Sequence, residues 1–129
     1  MDGVWQSLYE AARAACCPRT VSDYVQVGGV GAAVLSASGK IYTGVCVDTA
    51  STLGICAERN ALFHMLANGE SAFVKVVAVD WEGRVLPPCG ACRELMVQLM
   101  PQTYSAVEVL VDGETAVSLA DLTPRWWIS

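Results

Sequence analysis

The chain reads as an α/β fold with helices packed against a sheet, and three observations predict it. Helical spacing alternates with short β-branched runs in the order α-β-β-α-β-α-β. The turn signals between these runs are local, with no linker and no low-complexity segment. With 129 residues of which 53% are apolar, the chain can bury one core, so a single domain is expected over residues 1–129.

Residues 3–16 place Val4, Leu8, Ala11, Ala12 and Ala15 at helical spacing. The small and β-branched runs 28–36 and 40–47 flank Ser36-Ala-Ser-Gly39 and predict a hairpin. Residues 56–68 are strong helix formers closed by Asn68-Gly69, and Phe73-Val-Lys-Val-Val-Ala-Val-Asp80 follows as a strand. A second helix over 90–100 stops at Pro101, a strand covers 105–111, and a short element at 117–122 leads into the tail Pro124-Arg-Trp-Trp-Ile-Ser129. After the first hairpin the strand–helix alternation predicts a mostly parallel sheet.

Thirteen acidic residues against eight basic ones give a formal charge of −5, and Lys and Arg do not cluster. Affinity for a nucleic acid polymer needs a basic patch that releases counterions, so a small uncharged or cationic ligand is expected instead. The longest uncharged stretch, Tyr24 to Gly39, holds four glycines and is no membrane span. No basic segment followed by an apolar run opens the chain, so the expected compartment is the cytoplasm. There, six cysteines are expected as thiols or metal ligands and not as a disulfide framework. Charged residues make up only 16% of the chain and mean hydropathy is +0.40, which predicts apolar surface buried between subunits of a homo-oligomer.

Two segments carry the chemistry: Cys56-Ala-Glu58-Arg59 and Pro87-Pro88-Cys89-Gly-Ala-Cys92-Arg93. A Cys-x-x-Cys pair brings two sulfurs to one metal, and a third thiolate completes the three-ligand set of a catalytic zinc whose fourth position stays open to water. Both segments fall at the first turn of a helix, where unpaired backbone N–H groups favour thiolates. Glu58 is placed to take a proton from water, pass it to a ring nitrogen and later protonate a leaving amine. Three thiolates on zinc leave a net negative formal charge, and Arg59 and Arg93 are positioned to offset it through hydrogen bonds to sulfur.

Cys56-x-Glu58 followed by Pro88-Cys89-x-x-Cys92 matches the zinc deaminase signature, with Cys in place of His as first ligand. From Val30 to Leu99 the sequence resembles the small cytidine deaminase family and also the related blasticidin S deaminases. Matching segments are Val30-Gly-Ala-Ala33, Ile41-Tyr-Thr-Gly-Val-Cys-Val47, Ile55-Cys-Ala-Glu-Arg59 and Pro87-Pro-Cys-Gly-Ala-Cys-Arg93. The resemblance implies a three-layer α/β sandwich around a central five-stranded mixed sheet, usually a homotetramer, with one zinc ion per subunit. It implies hydrolysis of cytidine or deoxycytidine to uridine or deoxyuridine and ammonia. A cytosine-containing antibiotic of the blasticidin S type, or another small amino-heterocycle, is the alternative substrate.

By the same resemblance, the backbone N–H of Ala57 holds the pyrimidine carbonyl and the backbone around Pro88 and Cys89 faces the leaving amine. The family's sugar-binding Asn and Glu fall on Cys46 and Asp48, and its ring-stacking Phe falls near Gly28. Trp126 or Trp127 then becomes the candidate stacking surface, if not simple interface packing.

Two non-enzymatic readings compete: Cys89 and Cys92 as a redox pair, and a closed structural zinc site with Cys46 as fourth ligand. The redox reading leaves Cys56-Ala-Glu58 unexplained. His64 sits eight residues along the helix from Cys56, about 12 Å at 1.5 Å per residue, and reads as a partly buried helix-face partner, not a ligand. Cys16 and Cys17 read as helix-end packing, and Glu70 and Glu94 as solvated faces.

Overall fold

Two periodicities organise the structure, a computed structural model that describes residues 1–128; the last residue of the predicted tail, Ser129, lies outside the described residues. The first is helical. Helix α1 (Gly3–Ala15) starts at Asp2, whose carboxylate accepts the Trp5 N–H at 2.9 Å, and it buries Trp5, Leu8 and Ala12. Val4, predicted on the apolar stripe, is 47% exposed; Trp5, one residue on, fills that place in the core. Helices α2 (Ala57–Ala67) and α3 (Gly90–Leu99) carry the two cysteine segments at their starts, and a single turn, α4 (Leu119–Leu122), begins in a capping box from Ser118.

The second periodicity is that of strands. Strands β1 (Arg19–Thr20), β2 (Gln26–Ser36), β3 (Ile41–Asp48), β4 (Phe73–Asp80), β5 (Val85–Leu86), β6 (Glu108–Leu110) and β7 (Ala116–Ser118) form one sheet among the described residues. Five of them, in spatial order β3-β2-β4-β6-β7, make the main ribbon; β1 and β5 are two-residue additions to β2 and β4. Along β2 and β4 alternate residues face opposite layers. Ala32, Val34, Val76 and Ala78 meet α2 and α3, while Ala33, Val77 and Val79 meet α1. The chain is therefore a three-layer sandwich, and β4 reads as an almost continuous apolar run because it is buried on both faces.

The expectation of mostly parallel pairing is corrected. Among the described residues only β4 and β6 pair in parallel; β2 is antiparallel to both β3 and β4, and β7 is antiparallel to β6. Strands β3, β4 and β6 do run in one direction, as helical crossovers through α2 and α3 require, but β2 lies between β3 and β4. The strand predicted at 105–111 is shorter, because Tyr104–Ala106 forms a 3₁₀ turn and only Glu108–Leu110 joins the sheet.

Strand β2 starts two residues before the predicted boundary and is irregular between Val27 and Gly31. Gly28 has φ +84°, and a Cβ there would land on the Cys17 carbonyl group, 2.7 Å from its carbon. Glycine at this position is a steric requirement. Among the described residues, no helix is long and apolar enough to cross a membrane.

Candidate active site

The first turns of α2 and α3 converge on the same side of the sheet. Cys56 is the N-cap of α2 and Cys89 the N-cap of α3, with Cys92 in the first turn of α3. The Cys89 sulfur lies 3.4 Å from those of Cys56 and Cys92, and all three fall within 4.8 Å of one another. Tetrahedral ligands about 2.3 Å from zinc stand roughly 3.8 Å apart, so the two 3.4 Å spacings to Cys89 lie within a few tenths of an ångström of what the ion requires.

The thiols are not equivalent. Burial, then the nearby Glu58 charge, pushes Cys92 far above the ordinary thiol value. Burial acts the same way on Cys89, yet the Cys92 backbone N–H, the neighbouring thiols and the Ala91 N–H outweigh it and bring Cys89 below the ordinary value. A divalent cation lets all three coexist as thiolates, and this is the donor set zinc takes.

Glu58, in the first turn of α2, is buried at 5% exposure. Burial raises its carboxyl above the usual range, opposed by a backbone N–H and by Arg59. Arg59 Nη2 donates to Cys56 Sγ at 3.4 Å, and its buried Nε has no partner among the described residues. Arg93 departs from its predicted contact with sulfur: Nε donates to the Pro88 carbonyl at 2.8 Å and Nη1 to the Leu122 carbonyl at 3.1 Å. The helix turn carries the Arg93 stem away from the thiols toward α4.

Cys46 is not gathered with the three clustered sulfurs. Its Sγ accepts the Val30 N–H at 3.2 Å. It lines a cavity of about 340 Å³ together with Asp48, Thr49, Thr52, Cys56 and Arg59. Thr49, Ser51 and Thr52, in a loop the sequence leaves unmarked, thus line the cavity alongside Cys56. The loop's only advance signal is a hydroxyl-rich stretch directly before a metal-ligand segment. Asp48 also borders a second cavity of about 240 Å³ shared with Arg19, Thr20 and Gln26.

Ala57 and Pro88, each beside a ligand, are buried. Trp126 and Trp127 are not among the residues lining either cavity. Trp126 packs partly buried on the main core, whereas Trp127 is 82% exposed with its backbone N–H on Glu94. Glu94 is therefore a tail anchor. Glu70, expected on a solvated face, accepts from the hydroxyls of Ser38 and Tyr42. His64 is exposed, packs edge-on against Tyr42 and reaches the Thr43 carbonyl at 3.1 Å. The Cys16 thiol turns toward the Gly28 carbonyl at 3.3 Å, at the end of α1.

A buried carboxyl two residues from one of three clustered sulfurs, set in a three-layer α/β sandwich, is the arrangement of a zinc-dependent hydrolytic deaminase acting on C–N bonds. Comparison with known proteins places the chain further: the model of the cytidine and deoxycytidylate deaminase zinc-binding region matches residues 6–108, and the chain belongs to that family. A cytidine deaminase of Halalkalibacterium halodurans is 42% identical over 97 residues, 74% of either chain. A blasticidin-S deaminase of Bacillus cereus is 33% identical over 89 residues, 62% of this chain and 64% of that one. The crystal structure of cytidine deaminase from Mycobacterium tuberculosis superposes with a TM-score of 0.80 at 28% identity, covering 98% of each chain.

Proposed function

We propose that this protein hydrolyses the amine-bearing carbon of a free cytosine nucleoside, cytidine or deoxycytidine, with Cys56, Cys89 and Cys92 as zinc ligands and Glu58 as the proton carrier. The observation that carries this reading is the burial of the Glu58 carboxyl beside the three-sulfur cluster. Bound zinc supplies Lewis acidity that makes a water nucleophilic at neutral pH. The Glu58 carboxylate takes the proton of that water as its oxygen bonds to the ring carbon, and delivers it to the adjacent ring nitrogen. Glu58 then takes the remaining proton from the new hydroxyl and passes it to the exocyclic amine, the C–N bond breaks as that oxygen becomes a carbonyl, and the products are the uracil nucleoside and ammonia. A carboxyl raised by burial suits both directions of transfer near neutrality.

Arg59 lowers the negative charge that three thiolates concentrate at the site, through its bond to Cys56. The Ala57 N–H, at the first position of α2 where a helix leaves its N–H groups without internal partners, is offered to the pyrimidine carbonyl, and the Pro88 and Cys89 backbone to the leaving amine. Asp48 and the hydroxyls of Thr49 and Thr52 line the cavity where the sugar would lie.

The second reading is a cytosine-containing antibiotic of the blasticidin S type, or another small amino-heterocycle. It is favoured by Cys46, whose thiol accepts the Val30 N–H where the resemblance calls for a sugar-binding amide. The enzyme is proposed as a single cytoplasmic domain that assembles as a homotetramer; support comes from the exposed apolar side chains of Leu53, Trp127 and Ile128. Trp127 of a neighbouring subunit then remains a candidate stacking surface. Ammonia release from a panel of cytidine, deoxycytidine, cytosine and blasticidin S tests the substrate: turnover of the nucleosides is expected, and turnover of only the antibiotic or free base replaces the first reading by the second.

A further inference from the structure

Arg93 follows the ligand Cys92 directly, yet its hydrogen bonds go to backbone carbonyls on two other segments. Nε donates to Pro88 O at 2.8 Å and Nη1 to Leu122 O at 3.1 Å. Pro88 immediately precedes the ligand Cys89 and has no N–H, so its carbonyl is the only backbone group by which it can be held. Leu122 is the last residue of α4, where a helix leaves carbonyls without internal partners. A planar guanidinium presents several donors in fixed directions and spans two acceptors at once, which an ammonium on a flexible stem does not do with the same geometry.

We propose that Arg93 is a positioning residue that clamps the ligand loop at Pro88 to α4 and thereby presets the spacing of the three sulfurs for zinc. The inference rests on the zinc-site reading above and extends it. It makes α4, which lies outside the family-matched residues 6–108, part of the support of the metal centre. A second tie runs the same way, since the Trp127 N–H donates to Glu94 on α3 at 3.2 Å. Groups that orient metal ligands from one layer out typically account for about 10–100-fold in metal affinity or activity.

The test uses the full-length chain with Arg93→Met, which keeps the apolar stem and loses both hydrogen bonds, and Arg93→Lys, which keeps the charge and loses the fork. Zinc affinity is measured by chelator competition, the thiolate-to-cobalt absorption of the Co²⁺-loaded protein is recorded, and kcat and KM are determined on the zinc-loaded protein. The clamp predicts zinc bound roughly 10–100-fold more weakly by Arg93→Met, a displaced cobalt band, and a loss in kcat larger than any change in KM. Arg93→Lys should lie nearer Arg93→Met than wild type. Zinc affinity within twofold of wild type and an unshifted band overturn the proposal. If Arg93→Met does not fold, Arg93→Lys decides on the same readings. Wild type that binds no zinc would defeat the site itself, whereas zinc-binding wild type matched by the variants defeats only the clamp.

Discussion

Replacing Gly28 by alanine is a test of how tightly β2 is seated beside the cavity, and its cost can be worked from two terms. Gly28 holds φ +84°, a left-handed conformation that costs an L-residue about 1–2 kcal/mol. The new methyl also meets the backbone carbonyl of Cys17, whose carbon is 2.7 Å away, and a backbone group cannot rotate aside as a side chain does. Overpacking of this kind adds about 1–3 kcal/mol. The expected loss is therefore about 2–5 kcal/mol. Gly39 provides the matched control: it has φ +94° in the β2–β3 turn, but nothing lies within 4 Å of an added Cβ. Gly39→Ala should lose only the conformational part, about 1–2 kcal/mol. Urea unfolding at one fixed protein concentration measures both, because subunit association would otherwise shift the midpoint. Equal losses for the two variants, or a Gly28→Ala midpoint unchanged from wild type, would refute the close-contact reasoning. The same crowding explains why no aromatic side chain stands at this position.

The remaining predictions concern the metal set and acid stability. Cys46→Ser should keep one zinc per chain by elemental analysis while Cys89→Ser loses it; zinc lost equally from both would make Cys46 a ligand after all. Asp80 is buried, which alone would raise its carboxyl, but the Arg84 N–H, the Arg84 guanidinium and the Glu82 N–H together hold it below the usual value. A carboxyl depressed in the folded state contributes stability that is complete above its unfolded value near ~3.9 and disappears as pH falls through the folded one. Asp80→Asn should thus be less stable at neutral pH and show a flatter acid limb in unfolding followed by circular dichroism. An acid limb parallel to that of wild type would contradict this.

Much of the fold was legible because the signals were local. Asn68-Gly69 ends α2 within a residue of the predicted boundary, and the alternation in β4 separates two helical layers. Pairing partners were not legible, since no local pattern says that β2 intervenes between β3 and β4. Two-residue strands such as β1 and β5 carry too few side chains to give a periodicity, and the Gly28-Gly29 pair, which marks a break in sequence, lies inside β2 as an irregularity. At the site, ligand spacing revealed the three cysteines, but the direction of a long side chain is set by the elements it meets. Arg59 stays with Cys56, while Arg93, closer still to a ligand in sequence, is drawn to Pro88 and Leu122. Cys46 differs for the same reason: strand pairing presents the Val30 N–H to its sulfur.

The most direct measurement is the metal content and turnover of Glu58→Gln, a near-isosteric change that removes the acid and leaves the three sulfurs in place. Retention of one zinc per chain with deamination reduced by roughly 10²–10⁴-fold is expected for a lost proton carrier. A variant that keeps both zinc and full turnover would show that the proton moves by another route, and one that remains fully active with no metal bound would contradict the zinc centre as well.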